Sequence, residues 1–63
     1  MRDYLLKNKN NSEIKIFLLV KEEENGYRFL DKNEYIILKQ IFQTISAALN
    51  WLDSLEDYDW TTI

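Results

Sequence analysis

The chain has 63 residues, with neither cysteine nor histidine, no proline and a single glycine, Gly26. A hydrophobic fraction of 46% with 14% aromatics demands a packed core rather than disorder, yet one domain of this length buries only about 60% of the surface its unfolded chain exposes. The missing residue types exclude a disulfide framework, a thiolate or imidazole zinc site, a Ser-His-Asp triad and a Cys-His pair.

One glycine cannot build the phosphate-cradling loops of nucleotide enzymes, which leave several positions free of side chains. The longest apolar run covers residues 16–20, where a membrane span requires about 18 or more. The N-terminus also lacks the apolar stretch of a secretory signal. The expectation is a cytoplasmic protein, without cofactor, metal or membrane contact.

Net charge is −3 and unevenly spread. All eight lysines and arginines lie at or before Lys39, against seven acids, whereas residues 40–63 carry Asp53, Glu56, Asp57 and Asp59 with no cation among them. The C-terminal part is thereby disfavoured for phosphate backbones and suited to a basic surface.

In chain order, residues 1–12 comprise a short N-terminal piece around Tyr4-Leu5-Leu6 and a polar, asparagine-rich loop over 7–12. Residues 13–39 read as a β-hairpin or meander. Within them, 13–21 alternate as a strand: Ile14, Ile16, Leu18 and Val20 make a wholly apolar side, while Lys15, Phe17, Leu19 and Lys21 make a mixed one. Asn25-Gly26 suits the positive φ of a tight turn before the aromatic run Tyr27-Arg28-Phe29-Leu30.

Residues 32–40 admit two readings. As a strand, Asp31-Lys32-Asn33 turns, with Asn33 left-handed, into residues 34–39, where Tyr35, Ile36 and Ile37 favour β structure. As a helix, Asp31 and Glu34 form a capping pair, and Leu38, Phe42, Ile45, Leu49 and Leu52 continue one phase. The strand is preferred, because a helix puts Ile36 on the polar side and crowds β-branched side chains.

Both readings share an amphipathic helix over 44–57, capped by Thr44 or Ser46, with Ile45, Ala48, Leu49, Leu52 and Leu55 inward. Residues 58–63 follow as an acidic aromatic tail. The expected fold is one α+β domain, 1–63: a small antiparallel β-meander of two or three strands packed against one C-terminal amphipathic helix. The alternative is a β-hairpin followed by one long helix over 32–56.

Large aromatics set among carboxylates have the composition of interface anchors. The candidate partner-binding residues are Trp51, Asp53, Glu56, Asp57, Tyr58, Asp59 and Trp60. A competing reading has the aromatics close the protein's own core, Trp60 and Ile63 folding back as a final strand or tail. Carboxylates at a helix C-terminus oppose the macrodipole, so their presence there calls for a separate cause.

Other chemistry finds less footing. The C-terminal acids lack the alternation, central glycine and closing glutamate of a calcium loop. Glu22, Glu23 and Glu24 read as a solvated hairpin tip. Acids interleave with all the cations and the isoelectric point is about 4.7, which gives no basic patch for nucleic acid. Paired carboxylates hydrolyse glycosides only in a cleft deeper than a chain this short builds.

The function expected is therefore non-enzymatic: a small acidic protein-protein interaction module, acting as adaptor, regulator or accessory subunit, that docks on a basic surface of a larger partner. One alternative is a phage-type inhibitor that mimics DNA and occupies the cationic groove of a nucleic-acid-binding enzyme. Another is a self-associating structural module, a homodimer formed through the apolar stripe and an uncovered sheet edge.

Overall fold

The computed structural model describes residues 2–22 and 24–63. In chain order it holds β1 (Arg2–Asn8), β2 (Ile14–Glu22), β3 (Gly26–Asp31), α1 (Ile45–Asp53) and β4 (Tyr58–Thr62). The strands form one antiparallel sheet in the order β3-β2-β1-β4. The class is α+β as expected, but the described residues form four strands rather than two or three. The helix lies mid-chain, between β3 and β4, rather than at the C-terminus.

The piece around Tyr4-Leu5-Leu6 is β1, an inner strand, because Tyr4 and Leu6 point to the core while Asp3 and Lys7 point away. The asparagine-rich stretch then closes a hairpin by mimicking backbone. The Asn8 Oδ1 accepts from the N–H groups of Asn10 and Asn11 at 2.8 and 3.2 Å, and the Asn11 Oδ1 accepts from the Glu13 N–H at 2.9 Å. At the start of β3, Gly26 has φ 112°, and a Cβ there would stand 2.3 Å from the Phe42 carbonyl oxygen. Close backbone approach therefore requires glycine at this turn.

Residues 34–39 do not form the expected third strand of a meander. The Asp31 Oδ1 accepts from the N–H groups of Asn33 and Tyr35 at 2.8 and 3.0 Å, and Glu34, not Asn33, takes the positive φ of 68°. The chain then runs along the outside of β3, held by two isolated bridges, Leu30–Ile36 and Tyr27–Phe42. Between the bridges, residues 37–41 face only residues 28–29 of β3, so no continuous ladder closes.

The long helix over 32–56 is absent as well. Tyr27 and Phe42 exchange both backbone hydrogen bonds, at 2.7 and 2.8 Å, and the Ile37 N–H donates to the Phe29 carbonyl at 3.2 Å. Pairing with the exposed backbone groups of β3 competes with helix here, aided by the β-branched Ile36, Ile37 and Ile41.

The helix itself begins where its cap predicts, the Thr44 Oγ1 accepting from the Ala47 N–H at 3.1 Å. It ends at Asp53 rather than at residue 57, because the chain must turn back for Tyr58 to pair with Asn8. The Lys9 N–H donates to the Asp57 carbonyl at 2.8 Å and secures that turn. The tail is consequently a strand, β4, and Trp60 folds back over the core.

Tyr4, Leu6, Leu19, Phe29, Phe42, Ala48 and Leu52 make the buried core. Phe29 is its hub, with ring centroids of Trp51, Phe42, Phe17 and Tyr4 at 5.2, 5.9, 6.0 and 6.4 Å. Register sets Phe17 and Leu19 on this helix-facing side, so the mixed side of β2 is the buried one. Leu19 is 4% exposed, whereas Ile14 on the wholly apolar side is 49% exposed. Lys15 and Lys21 lie toward the strand ends, where long stems reach water, and the Lys15 Nζ stands 5.6 Å over the Tyr58 ring. Among the described residues, no helix is long and apolar enough to cross a membrane.

Candidate functional site

The turn from α1 into β4 gathers most of the sequence-predicted site residues at one end of the sheet. Asp53 closes the helix, Glu56 and Asp57 occupy the turn, and Tyr58, Asp59 and Trp60 open β4. Together with Lys9 and Leu55, five of these (Asp53, Glu56, Tyr58, Asp59 and Trp60) line one open depression of about 620 Å³. Asp57 lies beside it, its carbonyl engaged by the Lys9 N–H.

Trp51 is placed elsewhere. It is half-buried, its ring stacking on Phe17 at 6.3 Å with an interplanar angle of 26° and approaching Phe42 at 6.2 Å. Trp60 serves both sides: its ring meets Tyr4 edge-on at 5.6 Å, and its indole Nε1–H donates to the Asp53 Oδ1 at 2.8 Å. That bond supplies one cause for a carboxylate at the helix C-terminus, since a charge-assisted hydrogen bond opposes the unfavourable macrodipole. Asp53 in turn holds the indole in one orientation.

Electrostatically the depression carries four nearby carboxylates and one lining ammonium, Lys9, with the Lys15 Nζ 5.6 Å over the Tyr58 ring. Lys9 pairs with Asp59 at 3.6 Å, but both side chains are mostly exposed, and pairs of that kind hold little energy. Asp53, Glu56 and Asp57 have no cation within ion-pair distance among the described residues. Lys9 and Leu55 are the members that sequence reasoning missed. Lys9 comes from the loop after β1, and only the long-range pairing of Asn8 with Tyr58 brings it here.

Glu22 and Glu24 do not join this cluster. Glu22 sits at the opposite end of β2, paired with Arg28 at 3.3 Å, Glu24 is exposed, and Glu23 lies outside the described residues. Among the described residues no group of three or more acids, cysteines or histidines is arranged to hold a metal ion. What the arrangement offers chemically is hydrogen-bond acceptors and aromatic edges on an open anionic surface, suited to recognising cations.

Comparison with protein-family models, curated proteins and solved structures gives no match. Fold and site together define a small α+β domain with an acidic, aromatic-walled end.

Proposed function

We propose that this chain is a non-enzymatic interaction module whose α1–β4 end docks on a basic surface of a larger protein. The observation that carries this reading is the convergence of Asp53, Glu56 and Asp59, with Asp57 adjacent, around Tyr58 and Trp60 in one depression whose acids outnumber the nearby Lys9 and Lys15. Trp60 is already held by Asp53 and Tyr4, so contact with it costs little side-chain entropy. Asp59 exchanges its weak pairing with Lys9 for a cation of the partner. Adaptor, regulator and accessory subunit share this docking mode, and partner identity separates them.

The test leaves Trp60 in place, because its loss also removes packing against Tyr4. Glu56→Gln, Asp57→Asn and Asp59→Asn are combined, all three positions being exposed. A partner captured by affinity purification from the native host is then titrated calorimetrically. The expected result is a loss of affinity of about tenfold or more, and steep weakening of native binding as salt rises through the range where the Debye length falls below about 8 Å. Unchanged affinity in the triple variant, or salt-insensitive binding, overturns the reading.

The DNA-mimic alternative asks for a continuous anionic track, whereas Glu22 and the C-terminal acids stand at opposite ends of β2. Competition by duplex DNA in the same titration separates the two.

A further inference from the structure

We propose that the side of the sheet facing away from α1 is the interface of a twofold homodimer, two copies packing sheet on sheet with their helices outward. The inference starts from β2, which is apolar on both sides from Ile16 to Val20. Phe17 and Leu19 lie on the helix-facing side. Ile16, Leu18 and Val20 lie on the other, where register places Leu5 beside Ile16 and Leu30 beside Leu18.

None of these five outer residues packs against the core, and each is only half-buried, shielded by its neighbours on the sheet. An antiparallel sheet with one solvated side normally alternates apolar-in with polar-out, and a strand apolar on both sides belongs between two layers. The described residues hold one helix, and it supplies one layer.

Charge and area both point to a second copy as the other layer. The ends of the outer stripe carry opposite pairs: Lys7 beside Asp59 at one end, Glu22 with Arg28 at the other, with Asp3 at the margin. A twofold axis lying across the strands near Leu5 sets β1 of one copy over β1 of its mate with the ends exchanged, so that Lys7 on each copy faces Asp3 on the other. A strongly basic or acidic partner finds no such match on this nearly balanced side. Strands about 4.8 Å apart, rising about 3.4 Å per residue, make a four-stranded face of roughly 20 by 20 Å. Two such faces in contact remove on the order of 1,000 Å² from water, the threshold of a stable interface.

The experiment is sedimentation equilibrium of the full chain from about 1 to 500 μM, spanning the usual range of weak to moderate association. The expected mass at high concentration is twice 7.7 kDa. Ile16→Thr with Leu18→Thr keeps strand preference and raises the dimer dissociation constant by about a hundredfold or more. Independently of any variant, a mixture of ¹³C-labelled and unlabelled chains shows intermolecular NOEs from the methyls of Leu5, Ile16, Leu18 and Leu30. A mass of 7.7 kDa at every concentration overturns the proposal. So does a dimer that the folded double variant leaves intact, or one whose NOEs arise from the free edge of β4 or from the α1–β4 end.

Discussion

On one side of β2, Phe17 and Leu19 are flanked by Lys15 and Lys21; on the other, Ile14, Ile16, Leu18 and Val20 run without a polar interruption. By pattern alone the second is the better core, yet the helix covers the first. Neighbours account for the difference. Register brings Tyr4, Leu6, Phe29 and Trp60 to the side of Phe17 and Leu19, while Ile16 and Leu18 share theirs with Leu5, Leu30, Asp3 and Thr61. Aromatic side chains bury about 150–250 Å² each, so a short helix removes more apolar surface from water by covering the aromatic side. The alternation in a single strand records how many of its sides are apolar, and the neighbouring strands decide which one the chain covers first.

The comparison breaks most directly at Phe29, which is 0% exposed at the hub of the aromatic cluster. Phe29→Ala is expected to cost about 3–5 kcal/mol, enough to unfold a marginal domain, as loss of the near-ultraviolet circular dichroism signal would show. A cooperative native-like transition in that variant would mean that the aromatic side is not the core. Gly26→Ala comes next: it forces a side chain into positive φ and onto the Phe42 carbonyl. A loss of roughly 1–3 kcal/mol in urea unfolding is expected, together with faster amide exchange at Tyr27 and Phe42, where the edge segment meets β3.

Trp60→Phe retains most of the packing on Tyr4 but removes the donor to Asp53. It should cost about 1 kcal/mol in urea titrations, and Asp53→Asn should erase part of the difference in a double-mutant cycle. On the opposite side, Val20→Thr in dilute, monomeric protein is expected to cost less than about 1 kcal/mol, because that side chain is only half-buried. An effect as large as that of Phe29→Ala would erase the asymmetry between the two sides.

The candidate site was partly legible for a related reason. Charge is a composition property, so the unopposed acids from Asp53 to Asp59 stand out in the sequence and prove to share one end of the molecule. The roles of the three aromatics among them were not legible. Trp51 packs on Phe17 and Phe42, and Trp60 is divided between Tyr4 and Asp53. Apart from Asp53, seven residues before Trp60, these partners come from distant parts of the chain, and no spacing within residues 51–60 encodes them.

By itself the sequence determined the elements that local physics controls. These are the asparagine turns after β1, the β2–β3 hairpin with its positive-φ glycine, the Thr44-capped start of the amphipathic helix, and the α+β class that follows from them. Each rests on dihedral preference, capping or periodicity within a few residues. Tertiary structure alone decided that Tyr58–Thr62 pairs with β1, that residues 34–39 cling to the edge of β3 instead of forming a strand, and which side of β2 is buried. Those outcomes depend on backbone hydrogen-bonding groups and rings brought together from far along the chain, where the free energy of pairing and burial outweighs the modest preferences of single residues.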